Sequence, residues 1–286
     1  MSEVTEHEVR SVALVGGGLM GSGIAAVLVA AGYRVELYDP EAVARERSRA
    51  RVGKLAGDAA AKERFSAHAE LAAAVAAVDL VIEAVPEVIE LKRELFARID
   101  EHAPAGATLA TNTSELSVTL VAAATARPES VVGMHWFNPP EKMRLVELVR
   151  GVRSSPQALA TASAVAERCG KSVVTVEDRQ GFVTTRAVAA LLVEGARIME
   201  EGVASLADID TAVRLGLNHP MGPLELADYI GLDTVLYIAD SLTAAYGERF
   251  RAPQTLRKLV EAGRLGRKSG GGFYDYDEAG TRLPTH

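Results

Sequence analysis

Through about residue 178, short β-branched runs alternate with alanine-rich amphipathic stretches. The runs SVALVG (11–16), RVELYD (34–39), DLVIEAV (79–85), ATLATNT (107–113), SVVGMHWF (130–137), RLVELV (144–149) and KSVVTV (171–176) read as strands. Their alternation with helical patterns predicts a mostly parallel sheet covered by helices. After EDRQG (177–181) the strand signals nearly stop, and 182–263 reads as helices punctuated by Gly and Pro. Two domains are therefore expected, 1–180 and 181–286, the second all-helical. Within it, 182–201 reads as one long helix whose apolar positions cover more than one face, suited to a partner subunit or to packing within the domain. Ser205 and Asp208 resemble a capping box that opens LADIDTAVRLG, a helix ending near Gly216.

Composition narrows the class. A chain of 286 residues, 48% hydrophobic, can bury a full core. Lys and Arg number 31 against 38 Asp and Glu, and the net charge of −7 comes without a basic run dense enough for a nucleic-acid groove. Cys169 is the single cysteine, which excludes an internal disulfide framework, fits a reducing, cytoplasmic compartment and reads as a buried helical thiol. The N-terminus MSEVTEHEVR is acidic and reads as no targeting peptide. Ser11–Tyr33 carries no charge and nominally reaches membrane-spanning length. Its glycines at 16, 17 and 18 divide it into a short strand and a helix of about a dozen residues, so no membrane partner is expected.

The same glycines carry chemistry. SVALVG runs into Gly16-x-Gly18-x-x-Gly21, with Leu19 and Met20 between the last two. In a strand-to-helix turn the first glycine permits the bend, the second admits a pyrophosphate, and the third lets helix and strand pack closely. The helix N-terminus then offers backbone N–H groups to the phosphates. Asp39 closes the second strand 21 residues after Gly18, the position of an acid that binds an adenosine ribose and repels a 2′-phosphate. A Rossmann-type, doubly wound α/β fold that binds NAD is expected, with Arg45 nearby keeping NADP open. No metal ligand set is assigned.

Strand ends on the carboxyl side of such a sheet point toward the ligand crevice. EAVPE (83–87), TNTSE (111–115) and HWFNPP (135–140) all fall there. A histidine at that edge, His135, can take the proton of a substrate hydroxyl, because imidazole ordinarily titrates near neutral pH. It needs an orienting acceptor, and Glu147 in RLVELV is the candidate. Spacing alone leaves a satisfied core histidine and a solvent-facing glutamate equally open.

Beyond these points the chain resembles the NAD-dependent L-3-hydroxyacyl-CoA dehydrogenases, most closely the 3-hydroxybutyryl-CoA type. The resemblance rests on VALVGGGLMGSGIA, DLVIEAVPE followed by LK, TNTSELS, GMHWFNPP followed by MRLVELV, EEGVASLADIDTAVRLGLNHPMGPLELAD and GRLGRKSGGGFYDY, in that order along nearly the whole chain. It implies that His135 is the catalytic base, with Glu147 as its partner and Ser114 bonded to the reacting oxygen. It places Glu87 and Lys92 near the cofactor ribose, Asn138 near the nicotinamide, and Lys268 reaching back to the cofactor. Without it, Glu87 and Lys92 would read as a solvated helix start and Lys268 as a loop cation. It also implies a helical domain that forms part of the substrate cleft and dimerises, and an NAD-dependent oxidation of a short-chain (S)-3-hydroxyacyl-CoA.

Two departures from the family pattern bear on substrate. Where the family reads Gly-Phe-x-x-Asn-Arg this chain has GFVTTR, so Thr185 replaces the asparagine that helps position substrate and histidine, with one donor and a shorter reach. The stretch from Asp39 to Asp79 is shorter than the family's CoA-holding excursion, and its basic run RERSRARVGK offers Arg51 or Lys54 to CoA phosphates or is a solvated helix face. Two alternatives follow: a dehydrogenase of a free 3-hydroxy acid, and a non-catalytic dinucleotide-binding protein.

Overall fold

The computed structural model describes residues 8–284, and the chain divides after Arg179 into two compact units. In the first, β1 (Ser11–Val15) is buried along its whole length, as a continuous apolar run inside a two-faced sheet requires. α1 (Leu19–Ala30) is apolar nearly all round and covers it, and β2 (Arg34–Tyr38) returns parallel to β1. The uncharged stretch thus splits at the glycines as expected. Among the described residues no helix is long and apolar enough to cross a membrane.

The segment after Asp39 folds as α2 (Ala42–Ala56), α3 (Asp58–Arg64), β3 (Phe65–His68) and α4 (Leu71–Val75). β3 was not anticipated: FSAH is short and pairs only with β2 at the sheet edge, so it lacks the apolar run that marks an interior strand. β4 (Leu80–Glu83), α5 (Ile89–His102), β5 (Thr108–Thr111), α6 (Val118–Ala122), β6 (Val131–Trp136), β7 (Leu145–Arg150), α7 (Pro156–Arg168) and β8 (Ser172–Glu177) complete the unit. The strand order is β3-β2-β1-β4-β5-β6-β7-β8, and β7 pairs antiparallel with β6, so the last two strands run against the other six. The seven expected strands are all present and the Rossmann-type fold is confirmed.

The core joins the sheet to α1 and α7. Val12, Leu14, Ile24, Leu28, Val29, Leu80 and Ile82 lose all solvent contact, each worth roughly 1.5–3 kcal/mol. Cys169 sits one residue beyond α7 and is only partly buried, at the helix end rather than within it. Burial still pushes its thiol up to about 12, so it stays protonated and unreactive at neutral pH.

The second unit holds α8 (Thr184–Glu200), α9 (Leu206–Gly216), α10 (Pro223–Ile230), α11 (Leu232–Tyr246) and α12 (Gln254–Glu261). Leu192, Val193 and Ala196 on α8 pack with Leu224, Leu232, Val235 and Tyr274 of the same unit. Ser205 caps α9, its hydroxyl accepting from Asp208 N at 3.2 Å. The glycine-rich tail GRKSGGGFYDY has a structural cause. Asp228, buried in α10, accepts from Phe273 N and Tyr274 N at 2.9 Å each and from the Tyr276 hydroxyl at 3.0 Å. A Cβ on Gly272 would lie 1.9 Å from that carboxylate, so the backbone passes only where no side chain stands. Burial raises the Asp228 carboxyl above its ordinary range against the pull of those donors.

Candidate active site

The turn after β1 is built for backbone to approach a ligand. A Cβ on Gly21 would lie 1.8 Å from the Gly16 carbonyl oxygen, which fixes α1 tightly against the strand end. A Cβ on Gly18 would meet nothing within 4 Å. Gly18 is the N-cap of α1, no side chain caps the helix, and its first turn carries no acid. The backbone N–H groups at Leu19 and Met20 and the positive end of the helix dipole therefore border open space, the arrangement a pyrophosphate requires. The buried Ser48 of α2 secures this turn from below, its hydroxyl 3.1 Å from the Gly17 carbonyl. Arg51 bonds the Leu19 carbonyl at 2.5 Å.

Asp39 follows β2, with Oδ2 accepting from Gly17 N at 2.7 Å and Oδ1 from Glu41 N at 2.9 Å. Each oxygen keeps a lone pair for a ribose hydroxyl, while the charge opposes an added phosphate. Arg45 donates to the carbonyls of Asp39 and Pro40 at 2.7 and 2.8 Å, which commits it to the backbone. These residues fit NAD.

Sheet register carries that edge to the histidine. Val15 pairs with Glu83, Glu83 with Thr111 and Thr111 with Gly133, so the C-terminal ends of β1, β4, β5 and β6 share one edge. β6 lies three strand spacings, about 14 Å, from β1. His135 projects two residues past that row. Gly133 permits the approach: a Cβ there would lie 2.7 Å from Val149 Cβ and 2.8 Å from a Val118 methyl.

Antiparallel pairing of β6 with β7 places His135 directly opposite Glu147. His135 Nδ1 and Glu147 Oε2 are 2.8 Å apart, with Glu147 fully buried and His135 5% exposed. A buried carboxylate accepts, so Nδ1 carries the proton and Nε2 is the basic nitrogen. The solvent-facing reading of Glu147 is excluded. Phe137 lies against the imidazole, ring centroids 4.3 Å apart. Asn112 Oδ1 accepts from Trp136 N at 2.9 Å, tying the end of β5 to the residue after His135.

Ser114 is exposed on the turn between β5 and α6, and Glu87 organises that turn. Glu87 Oε1 accepts from the Thr113 hydroxyl at 2.5 Å, Ser114 N at 2.7 Å and Glu115 N at 3.3 Å. Lys92 is wholly buried, so the solvated helix start that pattern alone suggests is wrong. Its ammonium lies 2.8 and 3.0 Å from the two oxygens of Glu83 and 3.4 Å from Glu87 Oε2. Glu83 and Asn112, within DLVIEAVPE and TNTSELS, are functional-site residues that the sequence pattern does not assign. A charged residue inside an apolar strand was the available signal for Glu83, since a buried charge needs a partner.

Asn138 is exposed on the loop leaving β6. Lys171 grips that loop at the carbonyls of Pro140 and Met143, 2.6 and 2.8 Å away, and Arg51 reaches Glu141 at 3.4 Å. Lys54 is exposed at the end of α2. In the second unit Thr185 is buried in the first turn of α8, and Lys268 binds both oxygens of Asp233 at 2.6 and 2.7 Å.

Residues 11–179 match the family model described as 3-hydroxyacyl-CoA dehydrogenase, NAD binding domain, and 181–276 match its C-terminal domain. The chain is 43% identical to the Bacillus subtilis protein named "Probable 3-hydroxybutyryl-CoA dehydrogenase", over 95% of this chain and 99% of that one. It is 41% identical to the 3-hydroxybutyryl-CoA dehydrogenase of Mycobacterium tuberculosis, covering 94% and 99%. Among solved structures, (S)-3-hydroxybutyryl-CoA dehydrogenase from Ralstonia eutropha superposes with a TM-score of 0.91 at 36% identity, covering 95% of this chain and 100% of that one.

Proposed function

From its membership of the 3-hydroxyacyl-CoA dehydrogenase family, NAD-dependent oxidoreductases acting on a carbinol, we propose that this chain oxidises a short-chain (S)-3-hydroxyacyl-CoA to the 3-oxoacyl-CoA, reversibly, through the His135–Glu147 pair. The observation that carries the reading is that pair, 2.8 Å apart and buried at the strand end.

His135 Nε2 takes the proton of the C3 hydroxyl during oxidation and returns it during reduction. Glu147 holds Nδ1–H, fixes the tautomer and balances the imidazolium as it forms. The Ser114 hydroxyl donates to the C3 oxygen, where negative charge develops. NAD, when bound, takes up the hydride released from the same carbon. The α1 N-terminus and Asp39 hold its pyrophosphate and adenosine ribose, with Glu87 and Lys92 assigned to the ribose side, Asn138 to the nicotinamide end and Lys268 to the cofactor. Lys54 is assigned to a CoA phosphate. Thr185, standing where the family has asparagine, tunes the substrate preference.

The test is loss of NADH absorbance with acetoacetyl-CoA. Rapid oxidation is expected, with NADPH poorer by roughly 100-fold because Asp39 repels a 2′-phosphate, an electrostatic and contact difference of about 3 kcal/mol. A strong preference for free 3-oxo acids over acetoacetyl-CoA would replace the thioester with a free acid, the reading that the short 40–78 segment favours. NADH binding without oxidation by either compound would leave a dinucleotide-binding protein.

A homodimer belongs to the same reading. The second unit exposes Leu215, Leu217 and Val203, each about 70% accessible, and large exposed apolar groups on one unit suit a self-complementary interface. Light scattering is expected to give twice the 30.2 kDa chain mass; a monomer mass at working concentration would end that assignment.

A further inference from the structure

We propose that Glu83 and Lys92 form a positioning device that acts through Glu87 to hold the Ser114 turn, a role Lys92 has in addition to its place on the cofactor's ribose side. The proposal rests on the assignment of Ser114 to the reacting oxygen.

Glu83 ends β4 and Lys92 stands in the first turn of α5, nine residues on, and neither side chain is accessible. A buried ion pair is weak evidence for stability, since an apolar pair of similar volume often does as well. The bonding pattern gives a different reason for its presence. The Thr111 hydroxyl donates to Glu83 Oε2 at 2.7 Å and Val85 N to Glu83 Oε1 at 2.6 Å, so Glu83 is immobile where β4 and β5 end. Lys92 has three N–H donors. The two Glu83 oxygens lie nearest its nitrogen, and Glu87 Oε2 lies 3.4 Å away on the outer side. The ammonium therefore links a fixed carboxylate to a second one.

Glu87 is only half-buried, and its Oε2 turns toward the Lys92 ammonium. With that oxygen on Lys92, Oε1 faces the turn and collects the Thr113 hydroxyl and the amides of Ser114 and Glu115. Thr113 then accepts from Leu116 N at 2.8 Å and closes the turn in which Ser114 stands outward. Without the ammonium, two carboxylates would face each other across a site with low dielectric. Like charges at that range repel strongly, and Glu87, the more accessible, would swing toward water and release the three donors.

The test uses the full-length chain with both charges removed together, Glu83→Gln with Lys92→Met, so that no unpaired charge stays buried. Glu87→Gln is a second variant that leaves the inner pair intact, and it carries the test if the double variant fails to fold. Amide hydrogen exchange at Ser114 and Glu115, without substrate, is expected to speed up at least roughly tenfold in either variant while β5 keeps its protection. Turnover with acetoacetyl-CoA is expected to fall about 10–100-fold, the cost of misplacing one reacting group. The loss is read at saturating NADH, and in a Ser114→Ala background it should nearly vanish.

Unchanged exchange at Ser114 and Glu115 overturns the proposal. So does an equal turnover loss in both backgrounds at saturating NADH, which would mark a merely structural role. A wild-type chain that fails to turn over acetoacetyl-CoA sinks the dehydrogenase reading separately, and the exchange measurement then still decides whether the turn is held this way.

Discussion

His135→Gln is expected to lower kcat for acetoacetyl-CoA reduction by about 10³-fold, within the range that a positioned general acid or base contributes, while NADH still binds. Glutamine approximates the length of the imidazole and keeps a polar end near Glu147, so the β6–β7 register should survive. What it lacks is a nitrogen that exchanges a proton near neutral pH. The groups assigned to the pyrophosphate and adenosine ribose sit on the β1–α1 turn and after β2, three and four strands from β6, so NADH fluorescence titration should give a dissociation constant within about threefold of wild type. Unchanged turnover would remove His135 from the mechanism. Equal losses of turnover and NADH affinity would make it a binding residue.

Glu147→Gln is expected to cost about 10²–10⁴ in kcat although no atom that touches substrate changes; an orienting carboxylate in a His–acid pair has an effect of that order through the tautomer it imposes. The carboxylate accepts only, so it forces the proton onto Nδ1 and leaves Nε2 to accept from the substrate. A carboxamide can donate to Nδ1 instead, which puts the proton on Nε2 and blocks proton transfer, and it supplies no charge to balance the imidazolium. Stability is expected to move in a different way. The variant removes a charge from a fully buried site and keeps the side-chain volume, so the thermal midpoint should shift by only a few degrees, corresponding to about 1 kcal/mol. Wild-type turnover in Glu147→Gln would reduce Glu147 to a packing residue, and a collapse of the midpoint would show that the carboxylate's main duty is structural.

The parts of the fold legible in the sequence are those whose signal is local. β1, β4, β5 and β6 are buried along their whole length and read as short, mostly apolar runs, and Gly16-x-Gly18-x-x-Gly21 reports a backbone requirement that few other residues satisfy. β3 escaped because an edge strand paired on one side needs no apolar run. The tail GGGFYDY showed its glycines but not their reason, which is Asp228 some 45 residues earlier. Lys92 and Glu87 looked like a solvated helix start because their partners come from two separate segments, Glu83 at the end of β4 and Thr113 and Ser114 on the turn after β5.

The chain by itself determined the two-part architecture, the NAD-type turn and the presence of His135 and Glu147 in adjacent strands, because periodicity, glycine placement and strand composition are written within a few residues of each other. Only the tertiary structure decided that His135 and Glu147 stand opposite one another, since antiparallel pairing with a one-residue slip would turn Glu147 to the other face. It also decided that Lys92 is buried against Glu83. Those outcomes depend on strand register and on which residues from distant segments exclude water together, and neither quantity is encoded in any one stretch.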